Sequence, residues 1–126
     1  MAGLIQMKYE EIKLLLMSVS DPVERLEAVM DLGRQLAEVP QAAVCADIFG
    51  CASRVQICRN GNRFYGTADS ALVRGIVAII ISLVDGKTSD DIKRLDLRAE
   101  FGSLGLNLGA GRMNGVNSMI SFLENL

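Results

Sequence analysis

The sequence predicts an α+β fold, in which a small antiparallel sheet of about three strands carries helices packed on one face. Residues 54–58 alternate between polar and apolar side chains, as a half-buried strand does. The turn sequence Asn60-Gly61-Asn62 follows, and residues 63–66 return as a second strand. Helical periodicity lies before and after this block. Because strands grouped between helices form one sheet with helices on its face, the 126 residues predict a single domain, 1–126.

Two helices and one further strand are expected before this hairpin. Residues 7–18 are amphipathic. A second helix begins at Asp21-Pro22, because aspartate caps a helix N-terminus and proline fits the first helical position. We expect Pro40 to end this helix, since proline lacks the amide proton that would continue it. Residues 42–46 are the candidate third strand.

A central helix over residues 69–84 is expected to be buried, because its second half is apolar on every side. Asp69 or Ser70 is the candidate cap of this helix. A membrane span needs about 18–20 apolar residues, whereas this run is interrupted by Arg74 and ends at Asp85. The later chain predicts a short helix after Thr88, a glycine-rich connector over 105–111 and an amphipathic helix over 112–126.

Composition argues against several classes of function. The formal net charge of −2 argues against a nucleic-acid-binding protein, which needs a basic face. The first seven residues contain no basic segment followed by an apolar one, so we expect no secretion signal. Three cysteines is an odd number. Without a secretion signal, we expect all three thiols to be reduced, in a cytoplasmic protein that binds neither nucleic acid nor membrane.

Cys51 is the candidate reactive residue, because it lies in a turn just ahead of a strand. Gly50 lets the backbone bend there without steric cost, and a thiol on a loop braced by a hairpin can reach a partner. The alternative is a small buried side chain, which is how most free cysteines behave.

The Gly-Cys-x-Ser-x-Val sequence that contains Cys51 resembles the acceptor loop of the SufE-type sulfur-acceptor proteins, which include the CsdE branch. The likeness extends over nearly the whole chain from about Pro22 on. Its further motifs follow in family order at residues 24–40, 66–75, 86–88, 91–92, 101, 104–106 and 112–115. Each motif alone is weakly specific, whereas the ordered set is strongly specific. The resemblance also implies the α+β fold that this family shares with IscU-type scaffolds.

The resemblance implies that the protein is a sulfur acceptor and not an enzyme that turns over by itself. Such a protein takes persulfide sulfur onto Cys51 from a pyridoxal-phosphate (PLP) cysteine desulfurase of the SufS or CsdA type, and it stimulates that enzyme. It then relays sulfur to a downstream acceptor or cluster scaffold in iron–sulfur cluster assembly. The PLP belongs to the partner, so the chain needs no cofactor of its own. A weak homodimer is left open.

The resemblance also singles out Asp69 and Arg112. Gly50 and Ser53 are the candidate loop or hinge residues beside Cys51. The resemblance implies that Asp69 and Arg112 lie near Cys51, where a guanidinium favours thiolate over thiol and an acid pairs with it. Local sequence also explains both residues without a function: Asp69 as a helix cap and Arg112 as the start of the last helix. The two interpretations stay open for Asp69, and the functional one is favoured for Arg112.

Cys45 and Cys58 have three interpretations. The spacing Cys-x5-Cys-x6-Cys is not that of a zinc finger or ribbon, and the chain has no histidine to complete a metal site. Cys45 could form a regulatory disulfide with Cys51 if the loop folds back. Two free thiols without a special role are the favoured interpretation.

Two other functions compete with sulfur acceptance. One is an iron–sulfur scaffold that uses Cys45, Cys51 and Cys58 as ligands, and the other is a regulator that binds the desulfurase without accepting sulfur. The sequence also departs from the family at Gln56, at Asn107 and in the short connector 105–111, which puts the choice of partner in question.

A persulfide in free water is readily lost to small thiols and oxidants, so a sulfur carrier gains by shielding it. Ile48 and Phe49 precede Cys51 and the small Ala52 follows it. We therefore expect Cys51 to point inward, into an apolar recess walled by the aliphatic helix 76–84. Docking of the desulfurase then swings the loop outward about Gly50.

Overall fold

The structure is a computed structural model that describes residues 7–126. The expectation about a secretion signal therefore falls largely on residues outside the described part. The described residues form six helices and three strands in the order α1 (Tyr9–Ser18), α2 (Pro22–Gly33), β1 (Val44–Asp47), β2 (Val55–Asn60), β3 (Arg63–Ala68), α3 (Ala71–Val84), α4 (Ser89–Arg94), α5 (Leu97–Gly102) and α6 (Ala110–Glu124).

The three strands form one antiparallel sheet in the order β1-β2-β3. Val55 and Ile57 of β2 are buried on the face that carries the helices. Helix α3 lies against this face, and an added Cβ at Gly66 of β3 would come within 2.8 Å of Ile81 on that helix. The absence of a side chain at Gly66 therefore lets helix and sheet approach closely. The predicted α+β architecture is confirmed.

Helix α3 is the centre of the molecule, with nine of its residues buried. Helix α3 also packs on α2, and an added Cβ at Gly75 would overlap the carbonyl group of Val29 there. Ser70 caps α3, because its Oγ accepts the amide of Val73 at 3.3 Å. Within residues 7–126, no helix has the length and apolar character that crossing a membrane requires.

Several predicted boundaries differ from the structure. Helix α2 begins at Pro22 with Asp21 as its cap, as predicted, but it ends at Gly33 and not at Pro40. The third strand is Val44–Asp47, which begins two residues later and ends one residue later than the candidate segment 42–46. The last helix begins at Ala110, because the chain turns into it at Gly109, where φ is +82°.

Candidate functional site

The loop that carries Cys51 joins β1 to β2. The amide of Ile48 donates to the carbonyl of Val55 at 2.9 Å, and this bond closes the loop at its base. Gly50 has a φ of +90°, in the left-handed region that glycine alone adopts easily, so the bend expected there is present. Phe49 projects into solvent and is 86% exposed.

The sulfur of Cys51 points toward α6 and not into solvent. Cys51 is half-buried, and its thiol lies 3.7 Å from the carbonyl oxygen of Gly115, in position to donate a weak hydrogen bond. A cavity of about 370 Å³ adjoins it, lined by side chains that include those of Val73, Leu108 and Met119. The inward orientation agrees with the shielded thiol that we expected from the sequence.

The wall of this recess differs from the expected one. Of the segment 76–84, Ile76 lines the cavity, and the remaining wall comes from the first turn of α3, from Leu108 and from α6. Helix α6 occupies this place because its residues Val116, Met119 and Ile120 pack into the common core. The aliphatic part of α3 is turned instead toward the sheet and α2.

Burial raises the pKa of the Cys51 thiol. The thiol form of Cys51 is therefore favoured over the thiolate in this position of the loop. Arg112 is among the residues that line the same cavity, and its Nη1 donates to the carbonyl oxygen of Leu108 at 3.4 Å. Among the described residues, no ion pair joins Arg112 to Asp69.

Asp69 and Ser53 hold the other end of the loop. Oδ1 of Asp69 accepts the backbone amide of Arg54 at 3.2 Å. The hydroxyl of Ser53 lies 3.3 Å from that of Ser70, which caps α3. Asp69 is thus not the helix cap; it ties the end of the Cys51 loop to the segment before α3. The structure brings Cys51, Ser53 and Arg112 to one cavity, and Asp69 is not part of its lining.

Cys45 and Cys58 form a disulfide with each other. They are directly opposed on β1 and β2, which brings their Cα atoms within 4.0 Å. The favoured interpretation of two free thiols was wrong, as were the expectation of three reduced thiols and the alternative of a Cys45–Cys51 disulfide. Bonded sulfurs cannot act as thiolate ligands, so the structure does not support a three-cysteine cluster. In residues 7–126, no group of three or more His, Cys, Asp or Glu side chains could hold a metal ion.

Gln56 and Asn107, two of the positions that depart from the family pattern, do not line the Cys51 cavity, whereas Leu108 and Gly111 of the short connector do. Gln56 faces the outer side of the sheet, where its Nε2 donates to Asp47 on β1 at 2.9 Å. Asn107 is exposed in the connector, and its neighbour Leu108 reaches the cavity. The departures at Gln56 and Asn107 therefore change the protein surface more than the surroundings of Cys51.

A family model described as SufE: Fe-S metabolism associated domain matches residues 10–126. The chain belongs to the SufE family. An uncharacterized SufE-like protein of Rhizobium meliloti (strain 1021) is 34% identical over 109 residues, which cover 77% of this chain and 78% of the relative. The sulfur acceptor protein CsdE of Escherichia coli (strain K12) is 31% identical over 105 residues, which cover 76% of this chain and 71% of CsdE.

Two parts of this SufE-family site were missed in the sequence. The Cys45–Cys58 bridge could have been found by pairing residues 44–47 with the first strand of the hairpin, because that register places the two cysteines opposite each other. The contact of Cys51 with Gly115 has no such local signal. It depends on the position of α6, which begins 59 residues after Cys51 along the chain.

Proposed function

We propose that this protein accepts sulfur on Cys51 from the persulfide of a PLP-dependent cysteine desulfurase, stimulates that enzyme and relays the sulfur toward iron–sulfur cluster assembly. Membership of the SufE family and the similarity to the sulfur acceptor protein CsdE support sulfur acceptance in iron–sulfur metabolism. The observation that carries the assignment is the state of the cysteines. Cys51 is the free thiol of the three, and it lies on a loop at a cavity, whereas the other two are bonded.

The transfer step is a thiol–disulfide type of exchange. The Cys51 thiolate attacks the terminal sulfur of the desulfurase persulfide and forms a new S–S bond. The bond between that terminal sulfur and the enzyme's own cysteine breaks, and the electron pair leaves on the enzyme thiolate. Because one S–S bond replaces another, the step needs no oxidant or reductant. Cys51 ends as a persulfide.

The closed loop is a resting position in this proposal. Its sulfur faces α6, and burial raises the pKa of the thiol, so attack requires the loop to move outward. Gly50 is the hinge of this motion. The hydrogen bond between Asp69 and the amide of Arg54 has to break, or Asp69 has to move with the loop. When the loop closes again, the cavity beside Cys51 shelters the added sulfur.

The remaining parts of the proposal concern partners and place. PLP stays with the desulfurase, of the SufS or CsdA type, and the downstream partner is a sulfur acceptor or a cluster scaffold. The protein does not turn over alone, because a single thiol that has taken sulfur must pass it on. Cytoplasmic location stays a prediction, and it has to accommodate the Cys45–Cys58 disulfide, since disulfides are rare in the cytosol.

The test is mass spectrometry of the protein after incubation with a desulfurase and cysteine. We expect a mass gain of one sulfur on the peptide that contains Cys51 and no gain in Cys51→Ser. The double variant Cys45→Ala/Cys58→Ala is the matched control, because it removes the other two sulfurs and keeps Cys51. Sulfur elsewhere with Cys51 unmodified contradicts the assignment. Stimulation of the desulfurase that persists in Cys51→Ser favours a regulator that does not carry sulfur.

A further inference from the structure

The loop that carries Cys51 packs on α6 at a residue without a side chain. An added Cβ at Gly115 would lie 3.1 Å from the sulfur of Cys51 and 3.5 Å from its Cα and Cβ. The first distance is shorter than the contact that a methyl group and a sulfur atom normally tolerate, so one of the two would have to move. The closed position of the thiol therefore depends on the space that Gly115 leaves.

A second close contact lies one turn further along the same face of α6. Gly50 packs against Ser118, and an added Cβ at Gly50 would come 2.5 Å from the Ser118 Oγ. Residues three apart lie on one face of a helix, so Gly115 and Ser118 together form the surface on which the loop rests. The loop is thus held close to the helix at Gly50 and at Cys51.

The carbonyl group of Gly115 adds a polar contact to the surface on which the loop rests. It faces the thiol at 3.7 Å and accepts the weak S–H hydrogen bond. Gly115 therefore contributes both the space for the sulfur and the acceptor for its proton. The other surroundings of the sulfur are the apolar side chains of the cavity, such as those of Val73 and Met119.

We propose that Gly115 is a positioning residue that sets the balance between the closed and the open Cys51 loop. Its missing side chain admits the sulfur into the recess, and a methyl group there shifts the loop outward. The significance for sulfur transfer rests on the function proposed above, but the positioning role itself can be measured without a desulfurase.

The experiment compares Gly115→Ala with Gly111→Ala in the full chain. Gly111 lies one turn earlier on α6 and also lines the Cys51 cavity, but an added Cβ there meets no atom within 4 Å, so its methyl group does not touch the sulfur. Both variants make the same chemical change in the same helix, so both gain the higher helix propensity of alanine over glycine. Circular dichroism first establishes that both variants are folded.

The measurement is the rate at which iodoacetamide alkylates Cys51, followed by mass spectrometry over a range of pH. We expect the rate in Gly115→Ala to rise about tenfold, which corresponds to ~1.4 kcal/mol against the closed loop. The pKa that governs the rate should fall toward that of an ordinary thiol, because the sulfur is no longer buried. Gly111→Ala should match the wild type in both respects.

An unchanged rate and an unchanged pKa in folded Gly115→Ala overturn the positioning role. An equal rise of the alkylation rate in Gly111→Ala also overturns it, because the effect is then not specific to the residue that contacts the sulfur. Incubation with a desulfurase separates the two proposals. If the wild type takes up no sulfur on Cys51 while Gly115→Ala still alkylates faster, the proposed function fails and the positioning role survives.

Discussion

Removal of the Cys45–Cys58 disulfide should destabilise the protein substantially. The two residues are 13 apart in sequence and join the edge strand β1 to β2, so the bond closes a covalent ring around the Cys51 loop. For a ring of this length the restriction of the unfolded chain is worth about 3 kcal/mol in the free energy of unfolding. For a domain of 126 residues this corresponds to a decrease in Tm of roughly 10 °C.

The assay is thermal unfolding followed by circular dichroism, with and without dithiothreitol. The wild type should lose the stated stability in the reductant, and Cys45→Ala/Cys58→Ala should show the lower Tm under both conditions. Insensitivity of that double variant to dithiothreitol is the control, because it shows that the reductant acts through the bridge. The fold should persist in the variant, since β1 keeps its backbone pairing with β2.

The bridge can also be counted directly. Alkylation of the denatured protein without reductant should modify one cysteine, Cys51, and after reduction it should modify all three. Three modified cysteines before reduction, together with a Tm that does not respond to dithiothreitol, refute the reasoning. In that case Cys45 and Cys58 lie opposite each other on the sheet but are not bonded.

Two further predictions concern the loop and the alkaline range. Asp69→Ala removes the acceptor for the amide of Arg54; we expect a cost of about 1 kcal/mol in stability and faster alkylation of Cys51, and an unchanged alkylation rate argues against the tie. Burial and the hydrogen bond to Glu100 raise the pKa of Tyr9 to about 12. This contribution to stability is present below about pH 10 and is lost as the pH rises through about 12, because ionisation then favours the unfolded chain. Tyr9→Phe should lose about 1 kcal/mol at neutral pH and the alkaline part of the wild-type pH dependence; equal pH profiles contradict this.

Much of the fold was predictable because its signals are local. The alternation in residues 54–58 and the turn Asn60-Gly61-Asn62 were enough for the hairpin, and Asp21-Pro22 was enough for the start of α2. The end of α2 was not predictable from Pro40. The helix stops at Gly33, where an added Cβ would lie 2.8 Å from Arg74 of α3. Packing between helices, which leaves no periodic signal, coincides with that boundary.

The candidate site divides in the same way. The type of residue and the turn around it were sufficient to single out Cys51, and the ordered motifs were sufficient for the SufE family. The environment of the thiol was decided by tertiary packing. Three contacts join segments that are distant along the chain or are paired only by strand register. They are the contact of Cys51 with Gly115, the hydrogen bond of Asp69 with the amide of Arg54, and the Cys45–Cys58 disulfide. Sequence patterns report on side chains within a few residues of each other, whereas the burial and reactivity of a sulfur depend on which backbone arrives beside it.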